Sequence, residues 1–347
     1  MPKNSSAASP DAAALNPRLL ASQFKPFAKP NTARSLWELA VTIIPFFAVM
    51  LVMLVALDAG YWLALALVPL SGLLLLRTFI IQHDCGHGAF LSKRAGNDWV
   101  GRALGVLTFT PYDCWRRSHT LHHASTGNLD ARGFGDVDTL TIREFYEGSG
   151  LRRTLYRLYR HPLVLLGIGP AYLFMLRHRL PVGLMREGMI YWVSALTTNL
   201  ATAAVLAVLI VTFGFATTAL VVVPTLLMAA STGVWLFYIQ HQFEAAHWDA
   251  GADWSFHEAA LRGSSFLDLP QPLRWFTANI GVHHVHHLAS RIPFYRLSEV
   301  LETFPELARL NRFTIGQTIA PLRLALWDED SRQLVTFREA SRIYAKG

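Results

Sequence analysis

Residues 61–87 read YWLALALVPLSGLLLLRTFIIQHDCGH. About twenty mostly apolar residues, the length a helix needs to cross a bilayer, run directly into two histidines four positions apart. Positions i and i+4 share one face of a helix, so His83 and His87 can serve one centre. The stretch predicts a membrane span, from Tyr61 to about Ile81, whose helix continues out of the membrane and carries polar chemistry on its end.

The flanking sequence completes the pattern. Residues 36–57 are almost wholly apolar, and Asp58-Ala59-Gly60 is a turn, so 36–57 and 61–81 form a hairpin of spans. Residues 191–213 and 216–238 form a second hairpin about Gly214-Phe215. Residues 103–112 and 162–176 are apolar but short, and are read as interfacial or re-entrant helices. The expected fold is an all-α integral membrane protein of four transmembrane helices in two hairpins. A helical cytoplasmic cap, residues 82–190 and 239–347, holds the site. Residues 1–33, rich in Ala, Ser, Asn and Pro, are read as a flexible tail and not a signal peptide. Residues 34–347 are read as one membrane domain without internal repeats.

Composition agrees. The chain is 52% hydrophobic and 16% charged, a balance that fits a polytopic membrane protein with a substantial aqueous part. The formal charge of +7 is read as membrane topology and attraction to anionic headgroups, not as nucleic-acid binding. Lys25, Lys29 and Arg34 flank the first span, and a series of Lys and Arg, from Lys93 and Arg94 to Arg157 and Arg160, occupies the middle segment. The two tight turns carry none. Cationic loops stay in the cytoplasm, which places both termini and every clustered histidine on that side, in an expected bacterial inner membrane. Cys85 and Cys114 form no CxxC pair and are read as reduced thiols.

Three clusters carry the chemistry: His83-Asp84-Cys85-Gly86-His87, His119-Thr120-Leu121-His122-His123 and His283-His284-Val285-His286-His287. In the last, His283, His286 and His287 repeat the i, i+3, i+4 spacing of the second, and His284 falls off that face. Many buried imidazoles are costly without partners, and metal coordination satisfies several at once. No thiolate pair suggests structural zinc, and no HExxH is present. Imidazole suits Zn, Cu, Fe and Ni. Eight or nine imidazoles exceed one metal and match two with four or five each. A site at the membrane surface, reached by a water-insoluble substrate, favours two irons doing oxygen chemistry.

From residue 79 to 297 the sequence resembles the membrane fatty-acid desaturase superfamily. The order HDCGH, HTLHH, HHVHH between two membrane hairpins carries the resemblance. The flanking HDCGHGAF, TPYDCWRRSHTLHHASTGNLD, YIQHQFEAAHW and GVHHVHHLASRIPFY are similar to acyl-lipid desaturases of the omega-6 and omega-3 type. The resemblance implies metal ligands at His83, His87, His119, His122, His123, His283, His286 and His287. It implies a ninth just after the fourth span, at His241, with His247 as the rival. Asp84, Asp130, Asp136 and Asp138 are candidates to orient ligands through hydrogen bonds. His161, His178 and His257 are read as structural or surface residues.

The same resemblance implies a di-iron centre, O2 as co-substrate, and removal of two hydrogens from adjacent methylenes of a lipid-linked acyl chain. Electrons are expected from a separate ferredoxin or cytochrome b5-like carrier with its reductase, since no His-Pro-Gly-Gly haem motif occurs. The rival readings are a hydroxylase or ketolase of lipids, alkanes or carotenoids on the same scaffold, and a non-enzymatic metal-binding protein or transporter.

Overall fold

The computed structural model describes residues 15–133 and 135–346. Its first helix, α1 (Pro17–Gln23), is capped by Asn16, whose side chain accepts from the Arg18 and Leu19 amides. Leu20 and Phe24 are buried, and the Phe24 ring meets Phe304 edge-on at 5.4 Å. Residues 15–33 therefore rest on the body of the protein, unlike the flexible tail expected there. Two apolar side chains one turn apart supply an anchor that average composition conceals. The rest of that stretch lies outside the described residues.

α2 (Thr32–Asp58) is followed by 3-10 turns at Trp62–Leu67 and by α3 (Val68–His87). The helix does not break between its apolar part and His83 or His87. It stops at Gly88, whose φ of +68° suits a residue without Cβ. α4 (Arg94–Leu107) and α5 (Tyr112–Ser125) follow, and the short apolar stretch expected at 103–112 is the end of α4, packed on α3. Then come β1 (Leu140–Thr141), α6 (Ile142–Glu147), α7 (Gly150–Tyr159), α8 (Gly169–Met175) and α9 (Met189–His241). The chain continues with α10 (Phe256–Arg262), β2 (Phe266–Asp268), α11 (Leu273–Phe276), α12 (His283–Leu288), α13 (Leu297–Thr303), β3 (Arg312–Thr314), β4 (Leu324–Asp328), β5 (Gln333–Thr336) and α14 (Phe337–Tyr344).

The fold is mainly helical, as expected, but carries two small sheets. β1 pairs parallel with β4, β4 pairs antiparallel with β5, and β2 pairs parallel with β3. None exceeds five residues, too short for alternation to announce them.

Among the described residues, three helices are long and apolar enough to cross a membrane: Thr32–Asp58, Trp62–His87 and Met189–His241. The last has 53 residues, and if straight would measure about 80 Å. Yet both of its ends touch α5, which is about 21 Å long by the same rise. Cys114 Sγ lies 3.3 Å from the Tyr191 carbonyl, the Asp113 amide donates to Ser194 Oγ at 3.1 Å, and the His122 and His241 rings are 4.7 Å apart. The helix therefore doubles back. It does so at Gly214, whose φ of +80° and ψ of 160° are the one non-helical pair in the run. Leu209 and Phe213, before the break, share an apolar cluster with Val221, after it.

A charged contact lies inside this apolar frame. Arg77 on α3 is buried and ion-paired with the buried Glu38 on α2. Its Nε donates to Thr42 Oγ1 at 3.0 Å and its guanidinium lies 4.0 Å from the Trp275 ring centre. Removing one member of a buried pair leaves an uncompensated charge and costs roughly 3–5 kcal/mol. Glu38→Ala is thus expected to melt well below the native protein in mild detergent. Glu38→Gln, which keeps an acceptor oxygen, should lose less. Equal melting of Glu38→Ala and native protein would show that the pair does not hold α2 to α3.

Candidate metal centre

Four segments deliver histidines to one place. α3 brings His83 and His87, α5 brings His119, His122 and His123, the end of α9 brings His241, and α12 brings His283, His286 and His287. They sort into two groups. His83, His87, His119, His123 and His286 form one, and His122, His241, His283 and His287 the other. Within each group the ligand-capable nitrogens lie within 4.8 Å of one another.

The sorting follows helix geometry. The i, i+4 pairs stay together: His83 with His87, His119 with His123, and His283 with His287. The i+3 residue is turned to the other group, which sends His122 away from His119 and His286 away from His283. α5 and α12 each contribute to both groups, and the stacked His123 and His287 rings, 4.0 Å apart, join them.

The Nε2 atoms converge. His119 Nε2 is 3.0 Å from His87 Nε2 and 3.1 Å from His123 Nε2, which is 3.2 Å from His286 Nε2. In the second group His283 and His241 meet at 2.9 Å, with His122 and His287 Nε2 3.3 Å apart. A ring nitrogen offers a hydrogen or a lone pair, never both. His119 Nε2, facing two neighbours, therefore cannot bond both. A shared cation satisfies all of them. Nitrogens about 2.1 Å from one cation at right or tetrahedral angles lie about 3.0–3.4 Å apart, and the observed separations match.

The protonation state agrees. Burial, reinforced by neighbouring imidazoles, holds His119, His123, His283, His286 and His287 well below the ordinary histidine value. They are neutral donors at physiological pH, as metal binding requires. Asp84 Oδ1 lies 3.2 Å from His83 Nδ1, and its Oδ2 accepts the Phe294 amide at 2.7 Å. Asp136 Oδ1 lies 2.5 Å from His122 Nδ1, a close approach without the alignment of a hydrogen bond.

Other expected candidates stand apart. Asp130 accepts the Gly251 amide at 2.7 Å, and Asp138 has an exposed side chain that meets no histidine of the two groups. His247, the rival to His241, pairs with Asp249 at 2.7 Å outside both groups. His161 accepts its own loop's Leu163 amide, His178 packs on Phe174, and His257 packs on Phe256. Aromatic residues that sequence reading passed over frame the site. Trp115 stacks on His119 at 4.5 Å, Phe79 meets Trp115 at 5.3 Å, and Phe237 packs on His122 and His241. Each precedes a site histidine by four positions, the spacing that could have revealed them.

Apolar helices joined to a buried knot of neutral imidazoles define a membrane protein built around a site able to hold metal. The family model for fatty acid desaturases matches residues 60–318, and the chain belongs to that family, which is membrane-bound. It is an oxidoreductase that desaturates acyl chains. A fatty acid desaturase of Bacillus subtilis (strain 168) is 41% identical over 93% of this chain and 92% of its own length. An sn-1 acyl-lipid omega-3 desaturase (ferredoxin) of Synechocystis is 31% identical over 71% of this chain and 68% of its own. An sn-1 oleoyl-lipid 12-desaturase of the same organism is 29% identical over 65% and 64%.

His284 separates histidine content from geometry. It is fully buried, belongs to neither group, and its Nε2 lies 3.1 Å from the Leu307 carbonyl. His284→Ala removes one of that carbonyl's two donors, the Leu310 amide remaining at 3.2 Å, and should retain most activity per folded molecule. His283→Ala, His286→Ala and His287→Ala should each abolish it. The check is double bonds formed in a host, normalised to folded enzyme. Equal inactivity of all four variants would bring His284 into the site.

Proposed function

We propose that the five-histidine group and the four-histidine group each hold one iron, and that the enzyme uses O2 to place a cis double bond in an acyl chain carried by a membrane lipid. The observation that carries this reading is the sorting of nine histidines into two complete donor sets, 2.9–3.3 Å between paired nitrogens. Bound there, iron supplies the oxygen activation that an unactivated C–H bond requires. Reducing O2 to two waters takes four electrons. Two leave with the hydrogens of adjacent methylenes, and two come from a separate carrier. The relative named as ferredoxin-dependent supports a ferredoxin, with a cytochrome b5-like carrier as the alternative.

The chain's own residues set the conditions. Neutral imidazoles leave the metal charge on the site, and Asp84 and Asp136 each approach a ring at Nδ1. Trp115 and Phe237 cover His119, His122 and His241 with apolar surface that excludes water and suits a hydrocarbon. A chain of near-identical methylenes must be positioned by shape, which makes the double-bond position a property of packing.

For topology, we read residues 34–347 as one membrane unit with four spans, α9 supplying two about Gly214. Both termini and the cap, residues 82–190 and 239–347, face the cytoplasm of a bacterial inner membrane. The return of both ends of α9 to α5 supports it, as does the absence of Lys and Arg at Asp58–Gly60 and Gly214-Phe215. α7 supports an interfacial cap edge: Leu151, Leu155 and Leu158 are exposed along one side while Tyr156 and Arg160, opposite, are buried.

Three experiments test the reading. Elemental analysis of gently purified protein should approach two irons per chain. Expression in a host should create new double bonds with no label from labelled O2 in the acyl chain. A single metal in fully active protein overturns the two-iron assignment, and a labelled hydroxyl or ketone points to oxygenation on the same scaffold. For topology, a reporter fused after residue 347 should work only if it functions in the cytoplasm. Activity of a periplasmic reporter there would remove the four-span arrangement.

A further inference from the structure

Arg160, at the end of α7, is 3% exposed, yet no carboxylate lies within ion-pairing distance of it among the described residues. Burying a charge without a counter-charge is costly, so what the guanidinium holds instead is informative. Nη1 donates to the Asp138 carbonyl at 3.0 Å. Nη2 reaches Gln242 Oε1 at 2.8 Å, the Leu324 carbonyl at 2.9 Å and Tyr238 Oη at 3.1 Å. Nε has no partner.

These acceptors are placed around one half of the site. Tyr238 and Gln242 bracket His241 at the end of α9, and Asp138 is two residues beyond Asp136, whose carboxylate faces His122. Thr139 ties the same two segments together, accepting from Gln242 Nε2 at 3.1 Å. Leu324 opens β4 and also accepts from Tyr238 Oη at 2.8 Å. One planar fork thus joins the helix end that carries His241, the loop that brings Asp136 beside His122, and the sheet behind them. None of its partners is, or adjoins in sequence, a member of the five-histidine group.

We infer that Arg160 is a positioning residue for the four-histidine group, fixing His241 and the Asp136–His122 contact so that this metal position forms. The inference rests on the two-metal reading above. Arg160→Gln is expected to lower iron from about two to about one per folded chain, with the remaining iron magnetically isolated in Mössbauer and EPR spectra. A residue that only supports the fold would lower yield and leave iron per folded chain unchanged. Arg179 supplies the control. It too bonds neutral oxygens, Asn199 Oδ1 at 2.7 Å and the Phe109 carbonyl, away from both groups, so Arg179→Gln should keep two irons.

Arg160→Lys keeps the charge but loses the fork, and decides the matter if Arg160→Gln does not accumulate. It should release one iron to a chelator about 10-fold faster or more, the scale on which ligand-orienting contacts act. Two irons in Arg160→Gln, the loss of both irons together, or unchanged release in Arg160→Lys would each overturn the inference while native protein holds two. A native protein with one metal overturns the two-metal reading, and this inference with it.

Discussion

Nitrogen atoms packed at 3 Å with too few hydrogens to bond one another govern this structure. His119 Nε2 facing both His87 and His123 is the clearest case. Such an array suits a cation, and the fold holds it in shape through contacts of its own. α3, α5, α9 and α12 must end or pass at one point, and each buried polar contact described above serves that requirement. Arg77 with Glu38 fixes α3 to α2, Asp84 ties α3 to the Phe294 amide, and Arg160 joins α9 to the cap.

The parts of this arrangement legible in sequence are those that depend on period. Apolar length announced the long apolar helices, and i, i+4 spacing announced which histidines share a face. Spacing also placed His284 off the face of its neighbours, where it meets the Leu307 carbonyl. The parts that escaped depend on contacts distant in sequence. Nothing local marks Arg160 as the partner of Tyr238 and Gln242, 78 and 82 residues away. Nor does anything local show that α1 would dock Phe24 on Phe304, or that strands as short as β1 would pair with β4. The division of each histidine cluster between two groups lies between these cases. The angle separating i+3 from i+4 is present in the spacing, but its meaning appears only when the partner helices are in place.

Membership of the fatty acid desaturase family and the geometry bear on different questions. The family gives the reaction. The geometry explains why a buried, uncharged donor set suits it: the rings bring no protons to be displaced, and the aromatic residues one turn before His83, His119 and His241 keep the surroundings apolar. Apolar surface and a polar donor set are reconciled by placing both on the same helices at different heights.

That sharing gives α3 a property beyond strength. Because the helix runs unbroken from its apolar part to His87, it behaves as a keyed shaft whose rotation at one end is read at the other. Each residue added within it turns the distal imidazoles by about 100° and lifts them about 1.5 Å, so small insertions are mechanically ruinous even where hydropathy would welcome them. Adjustment to a thicker or thinner bilayer must therefore be absorbed upstream, at the Trp62–Leu67 turns, where no histidine registers the phase.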